Sequence, residues 1–476
     1  MQVASGGARA AVDFLPVMPS PLRLLLAALW PLLAVAQVEP GATLPHRPAG
    51  AATDEDVAAF VYWCADGRRA APARAEAPAG AALARRHASA PIRFVAIVDG
   101  ADTVTPAGFG RCVDSAGACA AWFAADDPSF VVMADRHGIV RFVGEPFAGL
   151  ADALDAVLAG REDVDAARAA RACRRRFGRS LFDLRAPAVA PLHAAVAHAP
   201  RDGQARGMLY LVAAIGCRDE ALADRIADEA LAALADEPRA LAAFVDLAAR
   251  GEVRKAAFAR RALAAATRAA ALATDDAAVQ LATLRLHVHA GDHREIGRRA
   301  IAVRRLVRDD ADACLELAAI LAEGPNAAVH ADLAALVVER AAALRGEPRA
   351  LAAARYGAVV RCAGDAAAGA RVLDAYLAQR DPQIRANNDC WRLLTDLRTM
   401  GRWTPFATGL AERMAADAAG LVYFEYDTVA LAMFLAGRGD EAVACAELAV
   451  ARAGAAGVEY ADRLRWYREA QAPAPR

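Results

Sequence analysis

Lysine is almost missing from this 476-residue chain: Lys255 is the one example, and the other basic residues are arginines. Aromatic side chains make up only 6% of the residues. No Gly-x-x-x-x-Gly-Lys-Ser/Thr loop occurs, which excludes a phosphate cradle of that type. The formal net charge of −1 gives no electrostatic pull toward nucleic acid or an anionic membrane. After residue 36 no stretch of about eighteen uncharged apolar residues follows, so no later membrane-spanning helix is expected. No Ser-His-Asp signature stands out. What the chain has in abundance is alanine, and with arginine it favours helix.

The first residues read as an export signal. Arg23 precedes "LLLAALWPLLAVA", a short apolar core ending in the small-x-small pattern Ala34-Val35-Ala36 before Gln37. Residues 1–36 are therefore expected to be a signal peptide, with Met18 an alternative start. A periplasmic or extracellular location follows, and a membrane contact only through this segment if it stays uncleaved. Residues 37–52 are rich in Pro and Gly and read as a linker. Nine cysteines invite a disulfide framework, but most of those after Cys119 stand singly in alanine-rich helical patterns, where cysteine is a small hydrophobe. Cys112 and Cys119 are the closest pair. A continuous helix would hold them about 10 Å apart, whereas a turn at Ser115-Ala116-Gly117 could bring them together.

Between residues 53 and 160 the pattern alternates. "VAAFVYW" (57–63) and "PIRFVAIVDG" (91–100) read as strands, with "GAALARRHA" (80–88) a helix between them. A helical segment through "CAAWFAADD" follows. "SFVVMADRHGIVRFVGE" reads as two strands around Asp135-Arg136-His137-Gly138, a hairpin with glycine at the turn. "FAGLADALDAVLAGR" closes the unit as an amphipathic helix ending at Gly160. This order implies a sheet with parallel strands and an antiparallel hairpin.

The first apolar run ends at Trp63-Cys64, and Pro72 stands five residues after Gly67. With the hairpin through Asp135 and Gly138, these positions resemble a thioredoxin-like domain of the exported thiol-disulfide oxidoreductase kind. The resemblance implies an α/β fold with Cys64 at the start of a helix. It also implies a cis-proline facing the sulfur, for which Pro128 is the candidate, although counting back from the hairpin puts Ser129 in that register. Gly67 occupies the position of the family's resolving thiol. A helix N-terminus and Arg68 and Arg69 would favour the Cys64 thiolate, and Asp66 would oppose it. Two readings stay open. Cys64 is a retained packing residue, or it is a single-thiol site whose mixed disulfide needs an outside thiol, Cys112 or Cys119 to resolve it.

Residues 161–199 are an arginine-rich junction, with eight arginines against four acids over "REDVDAARAARACRRRFGRSLFDLRAP". Only two aromatics, Phe177 and Phe182, fall among them, too few for a base-stacking platform, so a solvated bridging helix is expected rather than a nucleic-acid site. From about 200 to 470, glycines recur between helical runs at Gly216, Gly251, Gly291, Gly324, Gly364, Gly401 and Gly439, at intervals of 33 to 40 residues. That period marks an all-α solenoid of stacked helix pairs. The clearest unit, Asp427 to Ala451, resembles a tetratricopeptide repeat, and with Asn387 to Trp403 it is similar to the tails of exported thioredoxin-like proteins. Residues 471–476 read as a disordered tail.

His287, His289 and His293 lie close in sequence, but Gly291 is expected to end a helix between them, and no further ligand completes a metal set. Asp275-Asp276 and Asp309-Asp310 look like helix N-caps. No cofactor is expected. Two functions compete. One is an exported scaffold that takes a protein or peptide in the concave face of its repeats, with a thioredoxin-like domain that has lost dithiol chemistry. The other is a thiol-disulfide oxidoreductase or thiol peroxidase working through Cys64.

Overall fold

The computed structural model describes residues 38–44, 57–65, 69–98, 105–113, 122–123, 129–178, 180–250, 255–324, 326–379, 384–397, 399–416, 420–454 and 457–471. The expected signal peptide, most of the segment "CAAWFAADD" and the expected tail, apart from residue 471, lie outside these residues. Contacts divide the chain into one unit of residues 1–77 and 84–145 and a second of residues 78–83 and 146–476. A small mixed sheet is followed by a long succession of helices. No helix among the described residues is long and apolar enough to cross a membrane.

The first unit holds strands β1 (Ala59–Ala65), β2 (Ile92–Val98), β3 (Gly110–Val113), β4 (Val131–Asp135) and β5 (Val140–Gly144), in the order β3-β2-β1-β4-β5. β1, β2 and β3 are parallel, and β4 runs antiparallel to both β1 and β5. Parallel neighbours need a crossover, and helices Ala70–Ala75 and Ala77–Arg86 supply it between β1 and β2. β1 is central and buried on both faces, which is why it reads as an unbroken apolar run. Phe60, Tyr62 and Cys64 join the cluster of Ile97, Trp122 and Val132. Trp63 alternates to the other face, edge-on to Phe109 and Phe130 at 5.6 and 5.1 Å.

The β4–β5 hairpin forms where the sequence placed it, and Asp135 explains its turn. Its carboxylate accepts the N–H groups of His137 (2.8 Å) and Ile139 (2.9 Å) and pairs with Arg141 at 2.7 Å. Gly138 takes φ +80°, where a β-carbon costs about 1–2 kcal/mol. Residues 38–44, read as part of a linker, instead lie along this hairpin. The Gly41 N–H donates to the Val140 carbonyl (2.7 Å) and the Leu44 N–H to that of Gly138 (2.8 Å), while Val38 and Leu44 are buried.

The edge strand β3 was not foreseen. It has four residues, mostly exposed, and such a strand carries no periodic apolar signal. The expected closing helix forms as Leu150–Leu158 and Gly160 follows it at φ +61°, yet it groups with the helical unit. Arg201 holds it there, reaching Asp152 at 2.7 Å, Asp155 at 2.6 Å and Glu237 at 3.3 Å. The contact boundary thus falls at residue 145, ahead of the expected 160.

In the second unit the arginine-rich segment forms helix Val164–Phe177. It is not simply solvated: Arg171, Cys173 and Phe177 are buried, and Arg174 pairs with buried Asp202 at 2.8 Å. Thereafter the first helices of five successive pairs pack on one another in a ladder, Gly203–Leu211, Pro238–Arg250, Ala277–Ala290, Ala311–Glu323 and Pro348–Gly357. Beyond them Thr404–Ala415, the second helix of its pair, packs on Pro348–Gly357 and on Tyr423–Leu435. Second helices, such as Glu220–Ala233, Lys255–Leu272 and His293–Val307, alternate with them.

The two sets differ in pattern. Helix His293–Val307 buries a single stripe of Ile296, Ala300, Val303 and Val307. Helix Ala277–Ala290 buries every residue from Leu281 to Val288, and Tyr423–Leu435 every residue from Glu425 to Met433. A helix apolar or paired all round belongs in a core.

Aspartates start many of these helices, because their carboxylates satisfy amides that have no partner inside the helix. Asp219 caps Leu222, Asp276 caps Ala278 and Val279, Asp310 caps Ala313, and Asp365 caps Ala368. The expectation for Asp276 and Asp310 is met. Asp309 instead pairs with Arg340 at 2.8 Å. Gly291 and Gly364 take φ +78° and +70° in the turns between paired helices. Gly251 lies outside the described residues.

Candidate functional site

Cys64 is the residue on which any thiol chemistry turns. It sits inside β1, one residue before its end, rather than at the mouth of a helix, which begins only at Ala70. The cause is continued strand pairing. Cys64 stands opposite Ile97 and Ala65 opposite Val98, and the Cys64 N–H donates to the Phe130 carbonyl at 2.7 Å. The side chain shares a face with Phe60 and Tyr62 and is 0% exposed. A thiolate must meet its partner in solvent, and this sulfur does not.

Nearby groups are engaged with one another. The Arg69 side chain is buried and donates through Nε to the Ser129 carbonyl at 3.1 Å. Its guanidinium lies 4.7 Å from the centre of the Phe123 ring. Asp66, Gly67, Arg68 and Pro128, the candidate cis-proline, lie outside the described residues.

Cys112 shares the sheet face with Cys64. Ile97 pairs with both, in β1 on one side and β3 on the other. Two strand spacings put their α-carbons about 9.6 Å apart, beyond the roughly 7 Å a disulfide spans. Direct bridging therefore needs the backbone to move. Cys112 also lines a groove of about 810 Å³ with Arg85, His87, Arg93, Phe94 and Arg111, and Cys64 does not. Cys119, the other half of the expected close pair, lies outside the described residues.

Cysteines of the helical unit behave as packing residues. Burial pushes the thiols of Cys173, Cys314 and Cys362 up to about 11, and that of Cys390 higher still. Cys314 and Cys390 donate to the carbonyls of Val307 (3.1 Å) and Ala407 (3.3 Å). The histidines part company at Gly291 as expected. His287 faces Asp292 at 3.3 Å and His289 faces Glu323 at 3.1 Å, while His293 opens the next helix.

A cluster that sequence reading missed lies across three first helices. Arg285, 1% exposed, pairs with Asp246, Glu316 and Glu323. Arg250 pairs with Asp246, and Arg402 reaches Glu316 at 2.5 Å and Asp246 at 3.7 Å. Burial would raise the Asp246 carboxyl, but Arg250, Arg285 and Arg402 together hold it at about 2. The signal was present in the repeat. Asp246, Arg285 and Glu323 fall 39 and 38 residues apart, one period each, with charge alternating in sign.

No family model matches this chain, and no curated protein does.

Proposed function

We propose that this chain is an exported binding protein: a thioredoxin-like domain whose thiol has become a packing residue, joined to a tetratricopeptide-like solenoid that engages a protein or peptide. The observation that carries this reading is the burial of Cys64 within β1. The central β1 flanked by parallel β2 and antiparallel β4 supports the thioredoxin-like assignment. The ladder of first helices at a 33–40-residue period supports the solenoid. Export rests on the leader sequence alone.

The test is alkylation of Cys64 in the folded protein from pH 5 to pH 9, read by mass spectrometry, beside a disulfide-reduction and a peroxide-consumption assay. Inertness below pH 8 and equal activity of wild type and Cys64→Ser are expected. Rapid labelling near neutral pH with Cys64-dependent turnover would establish the single-thiol enzyme instead.

A further inference from the structure

The loop that joins helices Ile384–Thr395 and Thr404–Ala415 lies over the charged cluster of the first helices. We propose that Leu397, Met400 and Arg402 of this loop are a resident ligand of the face made by helices Pro238–Arg250, Ala277–Ala290 and Ala311–Glu323. The partner of that face is then a peptide that presents an arginine two residues after an apolar side chain and displaces the loop. This rests on the reading of the array as a peptide-binding solenoid.

The contacts are of the kind a groove makes with a peptide. Arg250 donates to the Leu397 carbonyl at 2.7 Å, gripping main chain. Leu397 and Met400 are buried and join the apolar cluster that holds Phe244 and Ala248. Arg402 enters the carboxylates of Glu316 and Asp246. Gly401 brings the backbone close: at φ +78°, a β-carbon there would lie 2.8 Å from the Arg250 carbonyl oxygen.

Charge suits the face to a cation. Asp246, Glu316 and Glu323 of the three helices meet Arg250, Arg285 and His289, with Arg239 also acting on Asp246, and Arg402 of the loop adds a further guanidinium to Glu316 and Asp246. A carboxylate in this setting is costly without its partner.

The loop is also built to leave. Arg285 ties the helices together without it. Thr399 and Met400 donate to the Asp396 carbonyl and Arg402 to that of Thr399, so the turn keeps its own hydrogen bonds. Arg402 and Asp246 keep 26% and 29% of their side-chain surface in solvent, whereas Arg285 keeps 1%. The exchangeable end of the cluster is the wet end. A tethered ligand acts at an effective concentration in the millimolar range, so a free peptide competes only when the loop is weakened or the peptide binds far more tightly.

The experiment has two arms on the full chain. Native-state hydrogen exchange should show amides of 399–402 exchanging at least a hundredfold faster than those of 281–288, because the loop opens alone. Equal protection of the two segments would make the loop part of the core and overturn the proposal. In the second arm a labelled peptide of residues 396–403 is titrated, by anisotropy, onto wild type and onto Gly401→Val, which cannot seat its own loop. Binding at least tenfold tighter to the variant, lost at least tenfold when the peptide carries Arg402→Gln, is the expected result. Equal affinity for the two peptides would overturn it. If Gly401→Val fails to fold, the exchange arm decides. A loop that opens with no arginine peptide captured sinks this inference alone; a full chain that captures nothing from a random peptide array sinks the binding reading itself.

Discussion

Phe182 and Trp391 lie face to face, their ring centres 5.4 Å apart and their planes 9° from parallel. The Arg463 guanidinium sits 4.7 Å from one ring and 4.9 Å from the other, and is itself paired with Asp427 and Glu459. Trp466 adds an edge contact to Phe182 at 6.0 Å, and Arg218 donates to the Glu469 carbonyl. Segments from the beginning and the end of the helical unit thus close on each other through one stack. Phe182→Ala should cost about 2–3 kcal/mol in urea unfolding, from the half-buried ring and the cation–π contact together. Hydrogen exchange should accelerate in helix Gly457–Gln471 before any other; uniform acceleration along the unit would mean the stack does not hold the ends.

In the sheet unit the order of variants at one position separates packing from chemistry. Cys64→Ala removes a small buried sulfur and should cost about 1–2 kcal/mol. Cys64→Ser is the closer shape but buries a hydroxyl among apolar side chains, and should cost more, up to about 3 kcal/mol. Thermal unfolding of the two variants checks this. A serine variant more stable than the alanine variant would place a polar partner or solvent at that sulfur.

The hairpin turn gives a third expectation. Gly138→Ala forces a β-carbon into the left-handed region and should lose about 1–2 kcal/mol. Asp135→Ala removes two amide partners and the Arg141 pair, and should lose about 2–3 kcal/mol. Chemical denaturation of the single and double variants tests whether they act on one turn. Simple additivity would indicate independent effects.

The Asp246 carboxyl sets a pH dependence of definite sign. It holds its proton less readily in the folded chain, at about 2, than in the unfolded one. Its stabilising contribution is therefore complete above about pH 4 and drains away as pH falls toward 2, about 2 kcal/mol in all. Urea midpoints of wild type and Asp246→Asn, taken from pH 5 down to pH 2, should converge as acid is added. A gap that stays constant across that range contradicts the assignment.

Removing Arg285, which leaves buried Glu316 and half-buried Asp246 and Glu323 short of a partner, should cost about 3–5 kcal/mol as Arg285→Ala. Arg402→Ala, at the solvent edge, should cost about 1 kcal/mol. Equal losses would mean that the loop arginine is as structural as the central one.

The alternation of β1, β2 and the hairpin was legible because each carries a continuous or period-two apolar pattern with a turn signal beside it. Asp135 and Gly138 announced their turn by residue type alone. Three of the recurring glycines, Gly291, Gly364 and Gly401, mark turns where a left-handed residue is needed, whereas Gly324 takes φ −78°. Cys64 was placed too late along the chain. A helix resembling the family's redox site was expected directly after Trp63, and nothing local told that strand pairing with Ile97 and Val98 would run two residues further. The destination of helix Leu150–Leu158 was equally hidden, since it depends on Arg201, some fifty residues on. The charged cluster draws on four separate segments, so only an alignment of repeat against repeat hints at it.

Most stacks of helix pairs have free ends, and their length drifts by whole units because adding one disturbs only its neighbours. Here the packing of Phe182 between Trp391, Trp466 and Arg463 removes that freedom. Inserting or deleting one pair would carry Trp466 away from Phe182 and undo the stack, so the number of units is under the same constraint as a core side chain.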